Sequence, residues 1–214
     1  MIDDILPSLT QRLGPMIAVA AAEVAGFEDL HPDELATVAR AVPKRRAEFA
    51  AGRRAARRAL ADLGHAPVGL GVGPNSAPVW PEHVTGSITH EAGWALAAAA
   101  STRDVRSLGL DLTQAMALPE GVREQVLRHP DEVGLNDLSA RAVFSAKEAI
   151  YKALAPSVGQ VFGFSVVAVR PDVEAGHFEA RLIHPLGPFS EGAVWRGMLI
   201  CRGSWLVTGL VLPA

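Results

Sequence analysis

The sequence predicts an α/β (α+β) fold of two similar lobes related by a pseudo-twofold axis, each a long helix packed on a mainly antiparallel sheet. Three observations predict it. An arginine-rich helical stretch is followed by short extended pieces; a second helical stretch, "FSAKEAIYKAL" (Phe144 to Leu154), is followed by apolar runs that end in a hairpin; and the two helices open on similar words. Those words are "RAEFAA" (Arg46 to Ala51) and "RAVFSA" (Arg141 to Ala146), 95 residues apart, each opening a helix of similar length that ends in "AL". Self-similarity at this spacing marks an internal repeat, although six residues in a chain rich in Ala and Arg also match by chance. The boundaries drawn are 1–104 for the first lobe and 105–214 for the second, with a ligand site expected in the cleft between them.

The elements follow in order. "HPDELATVARAVPKRRAEFAAGRRAARRALADLG" reads as two helices broken near Pro43, the second running from Lys44 to Leu63 and closed by Gly64. "HAPVGLGVGPNSAPVWPEHVTGS" has the Gly and Pro density of loops joining short extended pieces. "WALAAAA" fits strand or helix, and its periodicity does not decide. "VRSLGLDL" alternates, with Leu108, Leu110 and Leu112 on one side, and predicts a strand. Residues 114–138 are polar and suggest short helices around a mobile connection. After the second helix, "FGFSVVAVR", "FEARLIHP" and "WRGMLICRGSWLVTGLVLP" predict an antiparallel sheet, with Gly203 and Ser204 as a two-residue hairpin turn.

With 214 residues and 49% apolar content the chain can bury one large core or two modest ones. A net charge of −3 argues against a surface given over to nucleic acid or membrane, although local patches stay open. A lone Cys201 excludes an internal disulfide, and no Cys/His cluster has zinc-site spacing. "MIDDILPSLT" has acids where a signal peptide carries positive charge, and no uncharged apolar run approaches the ~18 residues of a spanning helix. The expectation is a cytoplasmic monomer.

Of twenty basic residues only three are Lys, and two of these, Lys147 and Lys152, flank Glu148 in the second helix. At about 100° per residue the apolar arc holds Val143, Ala146, Ile150, Tyr151 and Leu154. Lys147 projects inside that arc, while Glu148 and Lys152 lie at its other edge. A buried charge is costly unless paired, so an anion should meet Lys147 and a cation Glu148. The alternative is a snorkelling lysine beside a Glu148/Lys152 pair worth a few tenths of a kcal/mol.

Aspartate is disfavoured in strands, yet Asp111 stands in "LGLDLT", on the same face as Gly109 and Thr113. An Asp on a strand and a Glu on a helix, both oxygen donors, suit Mg²⁺ better than zinc. A strand-end aspartate capping a turn is the other reading. The first helix adds Lys44, Arg45, Arg46, Arg53, Arg54, Arg57 and Arg58, several at i, i+4, where like charges repel unless anions separate them. Guanidinium forks match phosphate oxygens. A solvated face and a nucleic-acid patch are the rivals, and the absence of interleaved aromatics counts against single-strand binding.

"GSITH" (Gly86 to His90), "LGLDL" (Leu108 to Leu112) and "FSAKEAIYKAL", in that order and spacing, resemble the Sfp-type 4′-phosphopantetheinyl transferases, as do "KRRAEFAAGRRAAR" and "PVWPEHVTGSITH". The resemblance implies transfer of the 4′-phosphopantetheine arm of coenzyme A to a serine of an apo acyl or peptidyl carrier protein, releasing 3′,5′-ADP. It also implies an active site between two lobes. Carried over by position, Asp111 and Glu148 match the Mg²⁺ acids, and Lys147 and Lys152 the lysines around the diphosphate. Arg45 and Arg53 match residues that hold coenzyme A phosphates, and Ser87 and His90 the segment that meets its 3′-phosphate. Glu148 then takes the serine proton and Lys152 assists the leaving phosphate. A loop histidine already satisfied by its neighbours is the other reading of His90.

Two departures stand out. Many members have an acid where this chain has Thr113, which leaves two carboxylates for the metal, with Thr113 or a water filling in. Many have a Lys or Arg near Asn75, to which no role is assigned; Glu91 is a substitute acid beside His90. The rival functions are a non-catalytic binding module for coenzyme A and a carrier protein, with the same fold, and an RNA- or DNA-binding protein. The carrier surface is expected in residues 114–138.

Overall fold

In a computed structural model, which describes residues 2–214, the chain is α+β and divides into two compact units. One runs up to Ser107 and includes Pro213–Ala214; the other is Leu108–Leu212.

The first unit contains α1 (Leu6–Leu13), β1 (Ile17–Glu23), α2 (Pro32–Thr37), α3 (Pro43–Asp62), β2 (Val84–Glu91) and β3 (Trp94–Ser101). Its sheet has the order β1-β3-β2, antiparallel throughout. "WALAAAA" is thus resolved as the central strand. It could not alternate, because all six residues from Ala95 to Ala100 are buried. Small side chains meet small side chains here: Ala51, Ala55, Ala56 and Ala59 of α3 pack against Ala20, Ala22, Ala95, Ala97 and Ala99. Pro43 opens α3, where a missing N–H costs nothing.

Gly86 explains one of the sequence motifs. Any Cβ there would lie 2.4 Å from the Trp80 ring and 2.6 Å from the Ala98 carbonyl oxygen. The indole of "VWP" therefore seats across the glycine of "GSITH" and fixes the start of the segment that carries Ser87 and His90.

The second unit carries β4 (Val105–Gln114) from Leu108 on, α4 (Val122–Val126), α5 (Asp137–Val158), β5 (Val167–Asp172), β6 (His177–Leu182), β7 (Val194–Arg202) and β8 (Trp205–Pro213) as far as Leu212. The sheet order is β4-β8-β7-β6-β5. β7 and β8 pair from Met198↔Gly209 to Arg202↔Trp205, which leaves Gly203 and Ser204 as the two-residue turn. Asn136 caps α5 by accepting from the Ser139 N–H at 2.8 Å, and Gly159 closes it in the left-handed region. The core gathers Val143, Ile150 and Leu154 of α5 with Val169, Phe178, Leu210 and Leu212.

Residues 114–138 are held more firmly than a mobile connection implies. Arg123 donates to the Leu135 carbonyl and to Asp137, and Glu132 is fully buried. Among the described residues no helix is long and apolar enough to cross a membrane.

Candidate functional site

β4 and α5 position the acids, and a glycine sets their distance. A Cβ on Gly109 would lie 1.8 Å from the Ala149 carbonyl oxygen, so only glycine lets the strand backbone touch the helix there. Two residues further on, Asp111 Oδ2 accepts from Ser145 Oγ at 2.8 Å; two further still, Thr113 Oγ1 accepts from Arg141 at 3.4 Å. Two strand residues advance about 6.6 Å and four helix residues about 6.0 Å, so the strand positions 109, 111 and 113 keep step with the helix positions 149, 145 and 141. The alternation read from the sequence is therefore real, and the Asp111 face is the face that meets α5.

Asp111 is 7% exposed. Its second oxygen, Oδ1, accepts from Lys152 Nζ at 2.8 Å, and Lys152 also donates to the Leu110 carbonyl at 3.0 Å. Lys152 reaches across to the strand instead of back along its own helix. Glu148 is half-buried, and burial pushes its carboxyl above the usual range; Lys152 pulls it down, and the charge of Asp111 pushes it further up. Two carboxylates that repel each other beside one ammonium, with oxygen donors only, fit a hard divalent cation. No group of three His, Cys, Asp or Glu side chains that could hold a metal occurs among the described residues.

Lys147 is placed differently from what its match to a diphosphate lysine suggests. It is 4% exposed, and its ammonium donates to Glu132 at 2.8 Å, the Val126 carbonyl at 2.8 Å and the Phe164 carbonyl at 3.0 Å. Three acceptors take up its three N–H groups. Burial lowers its pKa, against the opposing pull of Glu132. The anion that the helix geometry demanded is thus Glu132, which sequence reasoning did not single out. Its signal was the word "HPDE", which stands both at His31 to Glu34 and at His129 to Glu132. Lys147 and Glu148 also line a cavity of about 200 Å³ with Tyr151, Phe162 and Phe164.

The first unit brings two of the predicted residues together. Arg45 Nη1 lies 2.9 Å from His90 Nε2. A guanidinium can only donate, so in this contact His90 Nε2 is the acceptor. Ser87 is buried on β2 at 3% exposure, and Glu91 ends that strand. Asn75 stands in a short exposed turn.

Arg53 is elsewhere engaged. It is 5% exposed, donates to the Leu70 carbonyl at 2.9 Å and the Gly71 carbonyl at 3.4 Å, and lies 4.2 Å from the Phe49 ring centroid. Burial brings its pKa down to about 10. Arg54 donates to Asp29 and to the Gly26 and Glu23 carbonyls, Arg57 to Glu34 and Asp29, and Arg58 to the Ala21 carbonyl. The anions that separate these like charges come from the chain itself.

The comparisons with known proteins point to one family. Residues 33–100 match the family model of the 4′-phosphopantetheinyl transferase N-terminal domain. The chain is 36% identical to 4′-phosphopantetheinyl transferase Npt of Nocardia iowensis over 100% of its own length and 98% of that protein. It is 41% identical to 4′-phosphopantetheinyl transferase Svp of Streptomyces mobaraensis, over 86% of this chain and 77% of Svp. It is 33% identical to 4′-phosphopantetheinyl transferase PptT of Mycobacterium tuberculosis, over 86% and 84%. A likeness that runs from end to end, over a strand and helix that hold Asp111, Glu148 and Lys152 in one unit, leaves one conclusion: the chain belongs to the Sfp-type 4′-phosphopantetheinyl transferase family.

Proposed function

We propose that this protein transfers the 4′-phosphopantetheine arm of coenzyme A to a serine hydroxyl of an apo carrier protein, releasing 3′,5′-ADP, in a Mg²⁺-dependent reaction. The observation that carries the reading is the Asp111–Lys152 pair beside Glu148, in a chain whose relatives are transferases along its whole length. The binding-only alternative is not favoured by those relatives.

Asp111 and Glu148 would hold the Mg²⁺, which supplies neutralisation of charge on the diphosphate oxygens. Thr113, whose hydroxyl takes an Arg141 N–H at 3.4 Å and keeps a second lone pair, would fill in at the metal directly or through a water. Glu148, directly or through a water, accepts the serine proton as the serine oxygen bonds to the β-phosphorus and the bridging P–O bond breaks. Lys152, a compact ammonium on a flexible stem, stabilises the charge that collects on the leaving phosphate. Arg45 and His90 are assigned to coenzyme A phosphate, with Ser87 behind them on the same strand. The engagements of Arg53 and Lys147 suit them to shaping the site more than to meeting phosphate directly.

We take the working form to be a cytoplasmic monomer that binds neither nucleic acid nor membrane. The consumption of Arg53, Arg54, Arg57 and Arg58 by acceptors of the chain supports this, since it removes most of the basic patch on which a nucleic-acid reading rests. The carrier surface is assigned to residues 114–138. The test is mass spectrometry of a panel of apo carrier proteins incubated with the enzyme, coenzyme A and Mg²⁺. One carrier should gain one phosphopantetheine mass; no gain on any member would overturn the reading.

A further inference from the structure

The word "HPDE" folds twice into the same device. In the first unit Glu34 is fully buried, accepts the His31 N–H at 2.9 Å and the Leu70 N–H at 2.8 Å, and pairs with Arg57 of α3 at 2.9 Å. In the second, Glu132 is fully buried and accepts the His129 N–H at 3.1 Å, the Arg128 N–H at 2.9 Å and the Val169 N–H at 2.9 Å. It pairs with Lys147 of α5 at 2.8 Å. Each glutamate thus caps its own turn, catches a backbone N–H from a distant segment, and seizes a cation of its unit's long helix.

Only one of the two cations adjoins a residue of the chemistry. Lys147 immediately precedes Glu148, and at about 100° per residue the direction of one side chain sets the direction of the next. Its ammonium is anchored at the end of α4, in the Glu132 turn and at the Phe164 carbonyl, and Phe164 helps to line the cavity that Glu148 also lines. A buried ion pair adds little net stability over apolar side chains of equal size, while loss of one partner alone is strongly destabilising, so a geometric role shows only in variants that still fold.

We propose that Glu132 and Lys147 form a positioning pair that fixes the rotation of α5 at Glu148 and ties the Phe164 wall of the adjoining cavity to the same point. The pair touches no substrate; it acts through Glu148. The inference rests on the assignment of Glu148 to the metal and the serine proton. Glu34–Arg57 is its built-in control, the same device with no reactive acid next to its cation.

The experiment compares the full chain with Glu132→Gln, Lys147→Met and Glu34→Gln. It reads the melting temperature with and without Mg²⁺, kcat, the KM for coenzyme A, and the Mg²⁺ concentration for half-maximal activity. Loss of a group that orients a ligating side chain costs about 10–100-fold, so Glu132→Gln and Lys147→Met should lower kcat and raise the Mg²⁺ requirement by that factor. Both should weaken the Mg²⁺-induced rise in melting temperature, with the coenzyme A KM changed by no more than about twofold. Glu34→Gln should lose melting temperature yet keep kcat and the Mg²⁺ requirement. Unchanged kcat and Mg²⁺ requirement in folded Glu132→Gln and Lys147→Met, or the same losses in Glu34→Gln, would overturn the proposal. Failure of both second-unit variants to fold would overturn it too, since the pair would then be holding up the unit as a whole. Glu148→Gln is run alongside: full activity there sinks the site assignment itself, whereas an inactive Glu148→Gln with unaffected pair variants sinks only the positioning role.

Discussion

Lys152 donates to Asp111 on the neighbouring strand at 2.8 Å, and Glu148, one turn earlier on the same helix, feels that ammonium without owning it. The ammonium lowers the Glu148 pKa, against the burial that raises it. Replacing Lys152 by Met removes the lowering influence, so the acid limb of the pH dependence of kcat/KM should move to higher pH. In the role proposed for Lys152 at the leaving phosphate, its loss should also lower kcat by about 10²-fold. A limb that stays in place, measured far below saturating Mg²⁺ so that the metal does not set the Glu148 charge, would refute the coupling.

Glu148→Gln should separate stability from chemistry. A carboxyl whose folded pKa is raised contributes stability that is full below the unfolded pKa and lost as pH rises through the folded one. Wherever the half-buried Glu148 is ionised, its burial therefore works against the fold, and Gln does not. The variant should melt higher than the parent as pH rises through the Glu148 titration, by about 2–4 °C for each kcal/mol relieved in a chain of this size. The difference should vanish below the ordinary glutamate range. Transfer should fall by about 10²–10⁴-fold, and the Mg²⁺-induced rise in melting temperature should shrink. A variant that melts lower at neutral pH than in acid, relative to the parent, contradicts the account of Glu148.

Gly109 carries the approach of β4 to α5, and a methyl group there has nowhere to go but into the Ala149 carbonyl. Gly109→Ala should cost about 1–3 kcal/mol or more, as overpacking does, which lowers the melting temperature by about 2–10 °C. Because Asp111 hangs from the same strand two residues on, the Mg²⁺ requirement should rise as well. Calorimetry and a Mg²⁺ titration of activity check both; a melting temperature equal to the parent's would show that the strand can shift aside freely.

The sheet and helix that hold the acids were legible because their signals are local. Alternating leucines place Asp111 and Gly109 on one face of β4, and the helical period places Lys147 within the apolar arc of α5; both arrangements appear in the folded chain. The destinations of the charges were not legible, because long-range contacts decide them. Lys147 finds Glu132 fifteen positions upstream, in a polar segment without periodicity. Arg53, Arg54 and Arg57 resemble a phosphate patch until residues 23–34 and 70–71 fold against α3 with carbonyl and carboxylate oxygens. The all-alanine run of β3 defeated periodicity for a different reason, since a strand covered on both faces has nothing to alternate.

Arg45 is an exposed basic residue of α3, and its guanidinium lies 2.9 Å from His90 Nε2. An incoming phosphate would offer that guanidinium a charged acceptor, and charge-assisted bonds are about twice as strong as neutral ones. Arg45→Ala should therefore raise the coenzyme A KM by about tenfold while kcat changes little, because the lost contact serves ground state and transition state alike. With 3′-dephospho-coenzyme A the parent should already be weakened, and the additional penalty from Arg45→Ala should shrink towards nothing. His90→Ala should follow the same pattern. If Arg45→Ala weakens both forms of the substrate equally, the pair does not serve the 3′-phosphate, and the assignment of this strand-and-helix corner to it fails.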